Sequence, residues 1–428
     1  MNTTQKIYHF SIIAIACLIP SGFYQLTLAA LAVTAICWFV QGNYKQLRNI
    51  KQQPHVILFF LFYFYIAAGF FFSDDRGEAL SSLSVYLPLI LFPLFITCSD
   101  MVTEKLMRQA ESAFIYSTCL FMLIALLYAT YDVSQTHTTE LIQGGAVYNK
   151  FTYYGLTRVF DNWHPTYMAL FCNHAVFLAI RRAIAKCQEK NKSTAFGYTA
   201  LIVFLSVCIF LLNSITGIVA LMIIFLHFII VLLRKIKLSG YFKIILGVFC
   251  IGIAVAFLYI NPFGIQKLER VKDQKIAITD DYHERNMLTI RLAKWETHLV
   301  IISRHPLFGT TVGDIRNTRK RTYEEMKFND LALHNYNAHN EFVETAATYG
   351  IVGFVLFIAM IITAARRATN RNFGLFLVIV LVTFLTESIL ERQQGMNYVM
   401  FFFAFYTTVV ANKNQYNPVT EQRKLATT

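Results

Sequence analysis

The sequence predicts an all-α polytopic membrane protein of about twelve transmembrane helices, with a helical outer domain between the ninth and tenth spans. Three observations carry that prediction. The 428 residues are 56% apolar and only 15% charged, with a mean hydropathy of +0.48, whereas soluble domains run near 45–50% and about 25%. Apolar runs of membrane-spanning length recur along the chain. In hydrocarbon such runs must be helices, because every backbone amide has to be bonded within its own segment. Basic residues, finally, collect in alternate loops. A soluble enzyme or a nucleic-acid binder is excluded, and the formal charge of +13 needs another explanation.

In chain order the apolar runs fall at about 8–22, 24–40, 55–72, 80–98, 109–131, 163–180, 196–212, 215–233, 241–260, 348–365, 372–389 and 396–411. The first makes a poor cleavable signal: its basic flank is only Lys6, Pro20 interrupts it, and a second run follows at once. One set of alternate loops and ends holds 21 of the 38 basic residues, including Lys45, Arg108, Arg181, Arg182 and Arg371. The short loops on the other side hold only Arg76, Lys150, Arg158 and Arg392. That asymmetry puts both termini in the cytoplasm and accounts for most of the net charge.

The remaining 13 basic residues lie in one long segment, 261–347, together with 12 acids, so it is nearly neutral. Structureless loops of that length are unusual in compact proteins, and Trp295, Phe308 and Phe328 recur there among Leu and Ile. The expected organisation is therefore spans 1–9 over residues 1–260 and an outer domain carrying the catalytic motif over 261–347. Spans 10–12 follow over 348–411, then a cytoplasmic tail over 412–428. All eight cysteines lie outside the outer domain, which excludes a disulfide framework there, and no Cys/His spacing suggests zinc.

Within the outer domain, Leu288, Leu292, Trp295, Leu299 and Ile302 step by helical intervals and form the apolar stripe of an amphipathic helix that stops at Pro306. Arg291 and His298 flank this stripe. Arg291 is either a solvated edge charge or, facing the bundle, a planar cation suited to phosphate. Next come His305-Pro306-Leu307-Phe308-Gly309 and Gly313, which mark turns without a Walker-type lysine. The richest segment is His334-Asn335-Tyr336-Asn337-Ala338-His339-Asn340-Glu341, with Glu344 after it, running into the tenth span at Gly350 and Gly353. An imidazole titrates near neutrality and is the commonest general base. Glu341 or Glu344 is placed to support it, or else both are ordinary helix-start acids.

These residues resemble the bacterial O-antigen ligase and O-antigen polymerase family. The resemblance rests on His339-Asn340 followed by Gly350 and Gly353, on Arg291 with Trp295, on the Pro306, Gly309 and Gly313 turn, and on twelve spans with a large outer loop before the tenth. Motif similarity covers about 285–395, and the topology covers the whole chain. It implies a fold similar to the GT-C class of glycosyltransferases. It also implies transfer of a glycan from undecaprenyl pyrophosphate to an acceptor sugar outside the bacterial cytoplasmic membrane, without a metal or other cofactor. Ligases use the lipid A core as acceptor; polymerases use another lipid-linked repeat. By the same resemblance His339 assists the attacking hydroxyl and Arg291 contacts the pyrophosphate. One departure stands out: where family ligases carry Ser-Arg at the start of the eighth span, this chain reads Asn213-Ser214-Ile215. Arg158, Arg285, Arg304 and Arg392 are the outer cations available as substitutes, and with His334, Asn340 and Glu341 they are the candidate substrate contacts.

Two further polar clusters, Asp161 to Tyr167 and Thr386 to Gln394, face the same side, where Trp163 and Tyr167 suit an interfacial aromatic belt. Two other functions compete. A twelve-span secondary transporter fits the topology, but its spans offer few ionisable groups beyond His174 and His227. A metal-dependent transferase would use Asp74-Asp75 or Asp280-Asp281, pairs that are otherwise solvated loop residues.

Overall fold

The structure is a computed structural model that describes residues 1–143, 146–160, 163–235, 287–368 and 370–408. The expected ninth span, Arg285, Asp280-Asp281 and the tail lie outside the described residues. The chain opens with α1 (Thr3–Leu18), α2 (Tyr24–Val40), α3 (Pro54–Gly69), α4 (Arg76–Tyr86), α5 (Pro88–Phe92) and α6 (Glu104–Thr136). A short hairpin of β1 (Glu140–Gln143) and β2 (Ala146–Asn149) follows, pairing Leu141 with Tyr148; it is an exception to the all-α expectation. Next are α7 (Tyr153–Thr157), α8 (Pro165–Gln188), α9 (Lys192–Leu211) and α10 (Ile215–Lys235). Beyond the undescribed stretch come α11 (Met287–Arg304), α12 (Ile315–Glu325) and α13 (Asn329–His334). The chain then continues through α14 (Glu341–Arg367), α15 (Phe373–Phe384) and α16 (Gln393–Thr407).

Among the described residues, seven helical stretches are long and apolar enough to cross a membrane, the longest being the 33-residue α6. At 1.5 Å per residue α6 runs to about 50 Å, well beyond a hydrocarbon core of about 30 Å. Its end therefore projects past the bundle, where Asp132 gathers Lys150 (2.6 Å) and Arg158.

The core centres on α16 and the first half of α8. Every residue of α16 from Gly395 to Thr407 is buried, as is every residue of α8 from Pro165 to Ala179. Aromatic rings fill the space between them: the His174 ring lies 4.4 Å from that of Phe402, and Phe114 and Phe376 crowd the same spot. Tyr406 hydroxyl meets His174 Nε2 at 3.1 Å, so this histidine is a packed core residue. Helices α11, α12 and α13 have a small core of their own around Ala293, Tyr323, Phe328 and Leu331.

The apolar stripe of α11 is not its most buried side, and its members Trp295 and Ile302 are only half-buried. Leu292 and Leu299 are exposed, whereas Thr289, Ala293, Lys294, Thr297, His298 and Ile301 are buried. In a membrane protein apolar periodicity marks a lipid-facing side as readily as a core, since lipid tails are as apolar as leucine. Trp163 and Tyr167 depart similarly. Both are buried in the bundle, Trp163 lying against Gly22, rather than forming an interfacial belt.

Candidate active site

The site is built where two glycines interlock. Gly350 interrupts α14 with φ 63° and ψ −170°, a left-handed conformation that suits glycine. Into this break runs the Pro306–Thr311 loop. Ile351 and Val352 amides donate to the carbonyls of Pro306 and Leu307, and Thr310 and Thr311 amides donate to those of Ala347 and Thr348. Gly309, also left-handed, presses so close that a Cβ there would lie 2.3 Å from the Thr348 carbonyl oxygen. Thus the turn after α11 is stitched into α14, fixing α11 to the break in that helix.

Ten residues earlier, Asn340 caps α14. Its side-chain oxygen accepts from the Phe342 and Val343 amides, its amide donates to Leu385 carbonyl (3.2 Å), and its backbone N–H donates to Ser388 Oγ (3.2 Å). Glu341 is buried and accepts from the Leu390 amide at 2.9 Å. Both residues therefore fasten α14 to the loop after α15, and neither is among the residues lining the cavity beside His339.

The loop bearing His339 is held by a buried ion network. Glu344 accepts from the Ala338 amide (2.7 Å) and pairs with Arg319 (3.0 Å) and His298 (3.1 Å). Arg319 also donates to Asn335 Oδ1 and its carbonyl, and Trp295 Nε1 donates to the Ala338 carbonyl at 3.0 Å. Lys294, buried on α11, sits 4.1 Å from the centre of the Tyr336 ring, and burial lowers its ammonium to about 7.

His339 emerges from this frame with a left-handed φ of 46° and its Nδ1 2.9 Å from Glu387 Oε2. Neither Glu341 nor Glu344 supports it; the partner comes from beyond the end of α15. Burial opposes the charge on Glu387, but His164 and the hydrogen bond from His339 hold its carboxyl at about 2. An ionised carboxylate only accepts, so His339 Nδ1 must carry the proton and Nε2 the lone pair. His164, the N-cap of α8, lies on the other side of Glu387, its Nε2 3.8 Å from Oε1. Burial pushes the His164 imidazole below the ordinary histidine value, with Glu387 partly offsetting this.

A cavity of about 470 Å³ opens over this pair. Its walls include His339, His164, Glu387, Tyr154 and Tyr167, with the cations Arg316, Arg319 and Arg392. Arg392 is exposed and has no carboxylate partner among the described residues, whereas Arg316 pairs with Glu78 at 3.1 Å. Arg392 also joins His164 and Tyr167 in lining an adjoining cavity of about 450 Å³, floored by Ser21, Phe23 and Trp163. His334 stands at the rim, half-exposed and stacked on Tyr336.

The other expected cations fare differently. Arg291 is half-buried on α11 and contributes to the field at Glu387 and His164 without lining the cavity. Arg158 is bound to Asp132 and lies over the Tyr128 ring, while Arg304 pairs with Glu325 at 2.6 Å on the exposed side of α11. Neither lines either cavity, so neither serves as a substrate contact in this arrangement. Ser214, at the place where the eighth span lacks an arginine, touches Thr166, and Thr216 bonds to Thr386, both beside the site. Asp74 and Asp75 turn their amides to Asp314, and Asp75 caps α4. Among the described residues no group of three or more His, Cys, Asp or Glu side chains is placed to hold a metal ion.

Sequence reasoning missed Arg319 and Arg316, which sit in an α12 whose charged sequence gives no hint of a cavity wall. Glu387 was visible only as part of a polar cluster, since its pairing with His339 joins positions 48 residues apart. Comparison with known proteins agrees with the motif. Residues 200–358 match the family model described as O-antigen ligase. A 115-residue stretch, 26% of the chain, is 26% identical to a Haemophilus influenzae protein named only as uncharacterized, and spans 29% of that relative's length. His339, Gly350 and Gly353 fall inside the matched family segment, while Glu387 and Arg392 lie past its end. Over residues 200–358, then, the chain is similar to the O-antigen ligase family.

Proposed function

We propose that this protein transfers a glycan from an undecaprenyl-pyrophosphate donor to an acceptor sugar, the lipid A core in a ligase, at the outer face of the bacterial cytoplasmic membrane. Both termini are cytoplasmic in this reading, and residues 261–347 form the outer domain. The observation that carries it is the His339–Glu387 pair, with its proton assigned to Nδ1, in a cavity that also presents Arg392.

The acceptor hydroxyl gives its proton to His339 Nε2 as its oxygen bonds to the anomeric carbon. The bond from that carbon to the pyrophosphate breaks, the electron pair leaves with the phosphate, and the configuration inverts. Glu387 stabilises the imidazolium that forms. Arg392, with Arg291 behind it, meets the growing charge of the leaving group through preorganised electrostatics. A pyrophosphate-linked sugar is already activated, so neither a nucleotide nor a metal is required in this scheme. The long lipid tail explains why the chemistry belongs at a helix-end cavity.

The test is His339→Ala at matched expression. General-base loss costs about 10²–10⁴-fold, so long glycan should vanish from lipid A while lipid-linked polymer accumulates. Full transfer by the variant sinks the proposal. If instead wild-type deletion leaves one repeat on lipid A, the enzyme is a polymerase of the same family. Activity that falls with EDTA would restore the metal-dependent alternative.

A further inference from the structure

A third cavity, of about 490 Å³, lies at the opposite end of the bundle, among the start of α6, the end of α8 and the α14–α15 connection. Arg181 on its wall and His164 at the catalytic cavity belong to one helix and stand 17 positions apart, which is about 25 Å of rise. That is close to a hydrocarbon thickness, so the two cavities face opposite membrane surfaces.

Four arginines line it: Arg108 from α6, Arg181 and Arg182 from α8, and Arg371 from the connection. Only Arg182 is firmly neutralised. It reaches Glu111, which is buried, at 2.8 Å and also donates to the Arg108 carbonyl, while Asn372 donates to the other Glu111 oxygen. Arg108 has only the loose, exposed Glu104 at 3.5 Å. Arg181 and Arg371 have no carboxylate partner among the described residues. Charges that merely set topology need to be near the surface, not gathered on one concavity from three separate segments, and lysine would serve them equally well. Here every basic lining residue is an arginine, whose planar fork fits phosphate oxygens two at a time. The Glu111–Arg182–Asn372 clamp ties α6, α8 and the start of α15 together, which holds the remaining guanidiniums in place.

We infer that this cavity binds a phosphate group, as carried by the headgroup of an anionic membrane lipid or by a free phosphate. Basic pockets between spanning helices are known to take such headgroups. The site stands independently of the transfer reaction.

The experiment uses the full chain in nanodiscs of phosphatidylcholine with or without phosphatidylglycerol, reading retained lipid by native mass spectrometry. Wild type should retain phosphatidylglycerol over phosphatidylcholine. Arg181→Gln with Arg371→Gln should cut that preference about tenfold or more, and the Lys pair at the same positions should also lose most of it. Lys186→Gln with Lys190→Gln, near the same surface but off the cavity wall, should keep it. Displacement by millimolar inorganic phosphate assigns the site to the free anion; resistance to it assigns the site to the lipid. Equal retention by wild type and the Gln pair overturns the inference. So does an equal loss from the Lys186/Lys190 control, which would mean bulk charge alone. Should the Gln pair not fold, Arg371→Gln alone, on an exposed residue, keeps both outcomes readable.

Discussion

Replacing Glu387 by Gln keeps the size of the side chain and a hydrogen-bond acceptor for His339, but removes the charge. At the 2.9 Å separation, a carboxylate and an imidazolium attract by about 6 kcal/mol at an effective dielectric near 20, and by about 1.4 kcal/mol in bulk water. Glu387 is 9% exposed and His339 21% exposed, so the site lies nearer the first limit. Each 1.36 kcal/mol is about tenfold in rate, which predicts a loss in kcat on the order of 10²–10⁴. The loss belongs in kcat because the imidazolium exists only after proton transfer has begun. Purified protein assayed with a lipid-pyrophosphate glycan and saturating acceptor would give kcat and KM separately. The same residue sets an acid limit. A carboxyl held at about 2 instead of 4.5 contributes stability that is fully present above about pH 4.5 and lost as pH falls through about 2. Glu387→Gln should therefore unfold with a flatter pH dependence across that window. Wild-type kcat in the variant, or an effect confined to KM, would refute the assignment of Glu387 as the charge partner of His339.

Further outcomes follow from the same geometry. Arg392→Ala should lower kcat/KM about 10- to 100-fold, the worth of one charged hydrogen bond. Arg304→Ala, which breaks an exposed pair with Glu325, should leave transfer unchanged and shift stability by under about 1 kcal/mol. Lys294→Met should raise the melting temperature at pH 6. The charged ammonium, lowered to about 7 from 10.5, is a burden below pH 7 that is relieved as pH rises toward 10.5. Its gain should shrink by pH 9, and a variant less stable at pH 6 would show that the contact with the Tyr336 ring outweighs burial. Gly350→Ala places a Cβ 2.4 Å from the Leu307 carbonyl at φ 63°, so it should cost at least about 2 kcal/mol and abolish transfer. Gly197→Ala, with nothing within 4 Å, should be neutral or slightly stabilising by thermal melting.

The sequence was most informative where physics is local. Twenty apolar residues in a row must be a helix in hydrocarbon, so each expected span that falls on described residues is helical, give or take a few positions. Pro88 and Pro93 break the fourth into shorter pieces. The motif around His339 was legible because capping and glycine breaks are written in adjacent residues: Asn340 caps, and Gly350 kinks. For Asn340 and Glu341 the sequence left the partners open. Their chemistry suits a substrate or a neighbouring loop equally well, and only the fold shows their hydrogen bonds to Leu385, Ser388 and Leu390.

Composition and charge order by themselves determined the solvent and the helical class, and the local motif singled out His339 as the candidate. Those depend on what each short segment must do with its own backbone and on which loops carry lysine and arginine. Tertiary structure decided which groups meet. Glu387 rather than Glu344 reaches His339, Arg158 and Arg304 are spent on Asp132 and Glu325, and Arg392 is left facing the cavity. Electrostatic pairing acts over a few ångströms of space, and residues 48 or more positions apart come within that range only after the helices have packed.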